Sequence, residues 1–137
     1  MNLVYFGYTQ CPDVCPLTLS LMGSVFRQLS PEERGRIRFI FINVDHRHAH
    51  QQDTAGYATH FYPDFVGLDG SEQQIQEVIR QFPASYTYHE DPGSYLGYSI
   101  SHTDRVFIVN KKGVIIGAFP GSSGEEKQIL NTLKEYL

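Results

Sequence analysis

Short continuous apolar runs and longer helical periodicities follow one another along the chain. The apolar runs at residues 3–6, 39–44 and 65–68 each predict a buried strand. After the first run, apolar residues recur at helical spacing, which predicts a helix with Pro16 at its first position. Residues 53–61 predict a second, shorter helix. The apolar face expected for the first helix comprises Leu17, Leu21, Met22, Val25, Phe26 and Leu29.

The second half of the chain predicts a capped helix, a hairpin and a final helix. Ser71 and Gln74 have the spacing of a capping box at the start of a helix. The polar segment 110–113 lies between apolar segments at 105–109 and 114–116, which predicts a hairpin. The expected apolar positions are Ile75, Val78, Ile79 and Phe82 in the capped helix, and Ile129, Leu130, Leu133 and Leu137 in the final helix, which begins at Glu125 and Glu126.

This order of elements predicts one α/β domain spanning residues 1–137. Parallel strands joined by helices, followed by an antiparallel hairpin, give a mixed sheet with helices on both faces. Ligands of such sheets bind at the carboxyl ends of strands. Both cysteines of the chain, Cys11 and Cys15, come just after the first predicted strand. The sequence therefore places its most reactive side chains at the favoured edge of the sheet.

Composition and charge exclude several classes of function. The net charge is −4 and no run of Lys or Arg is present, so the sequence shows neither a nucleic-acid footprint nor a basic membrane-binding face. No apolar stretch approaches the roughly 20 residues that a membrane span needs. Two cysteines four residues apart cannot staple a domain of 137 residues. They indicate metal or redox chemistry instead.

The cysteine motif Cys-Pro-Asp-Val-Cys-Pro at residues 11–16 allows two kinds of chemistry. On a helical turn, residues i and i+4 share a face with their Cβ atoms about 5–6 Å apart. Two sulfurs so placed can converge on one metal ion or, after a modest adjustment, close a disulfide. Amides at the start of the following helix should favour thiolates over thiols. Asp13, between the cysteines, is expected to cap that helix or to tune the thiolates.

Soft thiolates select soft metals, with Cu(I) and Zn(II) as the leading candidates. A structural zinc site takes four ligands, and the chain has no second cysteine pair. Cu(I) accepts two or three ligands, so two sulfurs and one imidazole would suffice. An unreactive pair of cysteines near a helix start is the alternative interpretation.

Residues 5–16, Tyr-Phe-Gly-Tyr-Thr-Gln-Cys-Pro-Asp-Val-Cys-Pro, resemble the signature of the Sco/SenC copper chaperones. The resemblance continues through residues 41–45 and 65–68 and through Ser101-His102, and so covers nearly the whole chain. It implies a thioredoxin-like fold and copper ligands at Cys11, Cys15 and His102. It also implies that Cys11 and Cys15 form the redox-active pair, if the chain has one.

The resemblance further implies a partner and a location. The expected partners are the copper-centre subunit of cytochrome c oxidase, or another copper acceptor, and other copper carriers. The expected location is the periplasmic side of the bacterial inner membrane or the mitochondrial intermembrane space. The family normally has a hairpin and another strand before the first central strand. We therefore expect that an N-terminal portion, with a membrane anchor, precedes Leu3 in the full-length protein.

Two further functions compete with copper delivery. The pair Cys11 and Cys15 could serve a thiol-disulfide oxidoreductase or, with less support, a peroxidase. The chain could also be an interaction module with an incidental disulfide. Redox thioredoxins usually carry a cis-proline where this chain has Ser101-His102-Thr103, and they use a Cys-x-x-Cys spacing that is not found here. Both differences favour metal binding.

Two other groups of residues remain open to more than one interpretation. A loop with His46, His48 and His50 replaces the family's usual Pro-Glu-Arg-Asp-Thr-Pro-like run, and it either holds a second metal or is a solvated loop. The tyrosines near His89 either form a wall of the site or pack as ordinary strand residues. These tyrosines are Tyr86, Tyr88, Tyr95 and Tyr98.

Overall fold

The structure is a computed structural model that describes residues 1–12 and 14–137. The strands are β1 (Asn2–Gly7), β2 (Arg38–Asn43), β3 (Val66–Leu68), β4 (Tyr86–Glu90), β5 (Tyr98–His102), β6 (Arg105–Val109) and β7 (Ile115–Pro120). The helices are α1 (Val14–Gln28), α2 (Pro31–Arg34), α3 (Thr54–Phe61), α4 (Glu72–Ile79) and α5 (Glu126–Tyr136), with a 3-10 turn at Ala49–Gln51. The suggested roles of Asp13 lie outside the described residues.

The main sheet has five strands in the order β3-β2-β1-β6-β7. Strand β1 is parallel to β2, and β2 is parallel to β3, whereas β6 is antiparallel to both β1 and β7. This confirms the predicted mixed sheet. Because β1 is the central strand, the cysteine loop that follows it emerges from the middle of the sheet edge.

Helices cover both faces of this sheet, as the sequence predicts. Phe39 of β2 meets Phe26 of α1 edge-on, with ring centroids 6.5 Å apart. On the opposite face Phe6 of β1 contacts Phe82, just after α4, at a centroid distance of 5.1 Å. Since neighbouring strand residues point to opposite faces, Tyr5 lies on the α1 side, which is also the side of the cysteines.

Helix α1 differs from its prediction at its first turn. It begins at Val14, so Pro16 is the third helical residue and not the first. Proline is tolerated there because the first N–H groups of a helix have no partner within the helix. The prediction that Leu17 lies on the buried face is wrong, since its side chain is 58% exposed. Thr18 occupies the buried position instead, and its hydroxyl donates to the Val14 carbonyl.

The sequence analysis did not predict strands β4 and β5, helix α2 or the 3-10 turn. Strands β4 and β5 form a separate two-stranded antiparallel sheet, in which Tyr86 pairs with His102. Its strands alternate aromatic or apolar with polar side chains, and they therefore lack the continuous apolar run that predicts a buried strand. Helix α2 is a single turn with a capping box between Ser30 and Glu33. The β4–β5 hairpin matters for function because its last residue is His102.

Candidate metal centre

The cysteines come from a tight turn between β1 and α1. The Cys11 amide donates to the Tyr8 carbonyl at 3.2 Å, which turns the chain back toward the sheet. Cys15 is the second residue of α1, and its amide donates to the Cys11 sulfur at 3.4 Å. Cys15 is fully buried and Cys11 is 8% exposed. The first turn of the helix therefore brings both sulfurs to one buried point.

His102 completes this group. Its Nε2 lies 3.2 Å from the Cys15 Sγ, and the three possible ligand atoms of Cys11, Cys15 and His102 all lie within 4.8 Å of one another. No disulfide joins Cys11 and Cys15 in the structure. Two sulfurs and one imidazole at these separations form a soft donor set that suits copper. The structure thus brings together all three residues that the sequence singled out as metal ligands.

The orientation of the His102 ring leaves one nitrogen available for a metal. Its Nδ1 lies 3.3 Å from the Thr103 carbonyl oxygen, which can only accept a hydrogen bond, so this contact requires the tautomer with the proton on Nδ1. Nε2, on the other side of the ring, then presents its lone pair toward Cys15. A hydrogen bond of this kind fixes the tautomer that a metal ligand needs.

Two aromatic rings enclose the imidazole. Tyr5 and Tyr8 both meet His102 edge-on, with centroid distances of 6.1 and 5.9 Å. The Tyr8 hydroxyl accepts a hydrogen bond from the Ile100 amide at 3.4 Å, which ties the cysteine loop to β5. Sequence reasoning missed both as site residues, although they lie within the cysteine motif's own segment. Their proximity to His102 depends on a contact almost 100 positions away in the sequence.

Gly7 makes room for the Cys15 sulfur. A Cβ atom at this position would lie 2.8 Å from the Cys15 Sγ and 3.0 Å from a ring carbon of Phe41. Only glycine lets the end of β1 pass this close to the helix. The glycine that ends the first apolar run is therefore part of the site's architecture.

Burial sets the protonation of Cys15. Removal from water raises the pKa of the Cys15 thiol far above its ordinary value, and a hydrogen bond with Cys11 raises it further. Burial therefore opposes the preference for the thiolate that the helix amides are expected to give. A metal ion binding here must displace a proton from this sulfur.

The histidine loop lies elsewhere. His46 contacts the rings of Tyr86 and Tyr88, at centroid distances of 5.8 and 5.4 Å. His48 stacks on Tyr98, and its Nδ1 lies 2.9 Å from the carboxylate of Asp45. Among the described residues the metal-ligating group of Cys11, Cys15 and His102 includes none of these histidines.

Asp45 is a buried residue beside that loop, and its carboxylate accepts several side-chain hydrogen bonds. Its carboxylate accepts hydrogen bonds from the hydroxyls of Tyr98 at 2.6 Å and Tyr88 at 2.7 Å, and from the Gln52 amide at 3.1 Å. These bonds join the end of β2 to the β4–β5 hairpin. Tyr88 and Tyr98 are thus packing residues, and Tyr95 is fully exposed. None of these three has a contact with His102 among those described.

Comparison with known proteins identifies the family. The sequence model of SCO1/SenC matches residues 1–137. The chain belongs to the SCO1/SenC family. Its fold is similar to that of the Sco1 protein of Thermus thermophilus, which was solved in its apo form. The TM-score is 0.86 at 30% identity, over 99% of this chain and 78% of that one. The predicted thioredoxin-like fold is therefore confirmed.

Relatives in this family include copper-bound and mitochondrial proteins. ScoI of Bradyrhizobium japonicum, solved with copper bound, has a TM-score of 0.83 at 28% identity over 99% of this chain and 84% of that one. The human mitochondrial SCO2 homolog is 29% identical over 139 residues, which is 98% of this chain and 50% of the relative. The chain thus spans half the length of the human relative, and it spans 58% and 64% of two SCO2-like proteins, from Rickettsia conorii and Rickettsia felis.

No helix in the described part of the chain is long and apolar enough to cross a bilayer.

Proposed function

We propose that this chain carries copper and delivers it to the dinuclear copper centre of cytochrome c oxidase. The observation that carries the proposal is the convergence of three soft ligand atoms, with the Cys15 Sγ 3.2 Å from the His102 Nε2. Copper-bound ScoI of Bradyrhizobium japonicum supports the choice of metal. The family resemblance supports the choice of acceptor.

The three ligands have different roles in this proposal. Cys11 and Cys15 supply the thiolates that hold Cu(I), and His102 supplies the nitrogen that Cu(II) prefers. Because Cys15 is fully buried and Cys11 nearly so, water has little access to the bound metal. Cys11 is the more exposed of the two sulfurs, so we infer that an incoming ligand of the acceptor reaches the metal on its side.

We also propose an extracytoplasmic, membrane-associated location. The mitochondrial assignment of the human relative supports a compartment outside the cytosol. The partners would be the copper-centre subunit of the oxidase and other copper carriers that load this chain. Attachment would come through an anchor in the full-length protein.

A thiol-disulfide oxidoreductase is the second candidate, favoured by one observation. The Cys15 amide lies 3.4 Å from the Cys11 sulfur, so the two cysteines are close enough to form a disulfide after a small movement. Such an enzyme would reduce the cysteines of the oxidase copper centre or of another partner. The His102 imidazole beside Cys15 can serve that reaction as a base. The convergence of all three soft ligand atoms within 4.8 Å favours copper carriage as the first proposal.

The test is copper stoichiometry in reduced and oxidised protein. Reduced protein should bind one tight Cu(I) per chain in competition with a chelator, and X-ray absorption should count two sulfur neighbours. Protein with a Cys11–Cys15 disulfide should bind none, because only thiolates ligate. Cys11→Ser and Cys15→Ser serve as matched controls that remove one sulfur each. Equal copper uptake by the fully oxidised protein would rule out the proposed site.

A further inference from the structure

Asp104 has a partly buried carboxylate next to the elements that carry the three ligands. Sequence reasoning did not single it out. Asp104 stands in the turn between β5 and β6, two residues after His102. Its Oδ1 accepts a hydrogen bond from the Tyr5 hydroxyl at 2.8 Å and lies 3.1 Å from the Thr18 hydroxyl, whose one proton is shared with the Val14 carbonyl. Its Oδ2 accepts from the Ser122 amide at 3.0 Å and from the Ser122 hydroxyl. Four donors thus converge on one side chain.

These donors come from the segments that build the metal centre. Tyr5 lies on β1, which leads into the cysteine loop, and its ring borders His102. Thr18 is one helical turn after Cys15 on α1. The carboxylate is therefore linked both to the helix that holds one ligand and to the turn that holds another.

The loop after β7 fits closely against this carboxylate. A Cβ atom on Gly121 would lie 2.1 Å from the Asp104 Oδ1 and 2.9 Å from the Thr18 hydroxyl oxygen. The Gly121 amide also donates to the Asp104 backbone carbonyl at 3.0 Å. This packing leaves Asp104 little freedom to change position.

The turn that carries His102 is held at two points. Thr103 is bound to the residue before β4, since its amide donates to the Ser85 carbonyl at 3.1 Å and its hydroxyl accepts from the Ser85 amide at 3.0 Å. These bonds fix the turn to its own hairpin. The bonds of Asp104 fix the same turn to β1 and α1, and it is α1 that positions the Cys15 sulfur.

We propose that Asp104 is a positioning residue of the copper site. It acts through Tyr5 and Thr18 to set the separation between the His102 Nε2 and the Cys15 Sγ. This inference rests on the proposed function, in which Cys11, Cys15 and His102 hold copper. Removing a residue that orients metal ligands through hydrogen bonds typically lowers metal affinity by about 10–100-fold.

The experiment compares Asp104→Ala with Asp53→Ala, a matched control. Asp53 caps α3 by accepting from the Gly56 amide and has no described contact with the three ligands. Both variants should unfold at lower temperature than the wild type. Asp104→Ala should also shift the sulfur-to-copper charge-transfer absorption and lose about 10-fold or more in copper affinity. Asp53→Ala should keep the wild-type spectrum and affinity.

A second variant covers the case in which Asp104→Ala does not fold. Tyr5→Phe keeps the ring beside His102 and removes only the hydroxyl, and its spectrum should shift in the same direction by a smaller amount. Wild-type spectrum and affinity in folded Asp104→Ala, or in Tyr5→Phe if the former is unfolded, overturn the positioning role while leaving the copper proposal intact. Failure of the wild-type protein itself to bind copper removes both proposals.

Discussion

At the scale of single residues, His102 offers copper something that the two cysteines do not. Two thiolates satisfy Cu(I), whereas Cu(II) prefers nitrogen and a larger set of ligands. The His102 Nε2 is the nitrogen that lies close enough to Cys15 for this purpose. The oxidation states that the site holds should therefore depend on His102.

We predict that His102→Ala keeps tight Cu(I) binding and loses most of its Cu(II) affinity. The loss should exceed the roughly 10–100-fold that removing an outer partner of a ligand costs. The check is the charge-transfer spectrum and the unfolding midpoint, recorded on the same sample. His89→Ala is the control, because His89 lies on the same hairpin and bonds Ser101. An unchanged spectrum in a destabilised His102→Ala protein would remove this residue from the site.

Gly7 is the second residue whose substitution should affect the metal centre. Gly7→Ala places a methyl group 2.8 Å from the Cys15 Sγ, so the sulfur or the strand must move. We expect a loss of stability of about 1–3 kcal/mol, as for other overpacked sites, together with an altered copper spectrum. Chemical denaturation and absorption spectroscopy measure the two effects. Gly93→Ala, whose new methyl would meet nothing closer than 3.8 Å, should be neutral, and equal behaviour of both variants would contradict the argument.

At the scale of elements, the β4–β5 hairpin connects the metal centre with the hydrogen bonds around Asp45. Its last residue is His102, and its tyrosines Tyr88 and Tyr98 bond Asp45 near the histidine loop. The loop is thus in contact with the hairpin, and none of its three histidines belongs to the ligand group found among the described residues. Stability and copper binding should therefore respond differently to changes in this loop.

Replacing His46, His48 and His50 together by Ala tests this separation. The variant should keep the tight copper site and lose at most weakly bound extra metal. Its stability should fall by about 1–3 kcal/mol, because His48 gives up its bond to the buried Asp45. Copper titration and thermal unfolding give the two readouts, and His50→Ala alone, at an exposed position, is the matched control. Loss of the tight site in the triple variant would mean that the third ligand is misassigned.

At the scale of the whole molecule, Asp45 should make folding stability depend on pH. Burial alone would raise the pKa of this carboxyl, but hydrogen bonds from Tyr98, His48, Tyr88 and Gln52 outweigh it and hold the pKa below its usual value. A group with a lowered pKa in the folded state stabilises the protein above its unfolded pKa. That contribution disappears as the pH falls through the folded pKa.

We therefore predict that the free energy of unfolding falls with acidification below about pH 4, the ordinary pKa range of Asp. Asp45→Asn should lower stability near neutral pH by about 2–3 kcal/mol and show a weaker acid dependence. Urea denaturation of both proteins between pH 2.5 and 7 at roughly one-unit steps measures this linkage. Parallel pH profiles for wild type and variant would show that Asp45 does not contribute to the acid dependence.

Much of this architecture follows from the sequence alone, for a physical reason. Continuous apolar runs such as 39–44 can be satisfied only as buried strands, and capping boxes such as that of Ser71 and Gln74 mark a helix start by local hydrogen bonds. The cysteine spacing at 11 and 15 is equally local, because one helical turn brings both sulfurs together. Family resemblance then singled out His102.

Contacts between distant parts of the chain were decided only by the tertiary structure. Tyr5 and Asp104 lie 99 positions apart, and no local pattern connects them before the sheet places β1 beside β6. The raised pKa of Cys15 likewise comes from burial, which the sequence's helix-start argument did not include. The sequence thus determined which atoms can hold a metal, through local spacing and periodicity. Packing across the sheet decided how those atoms are enclosed, oriented and protonated.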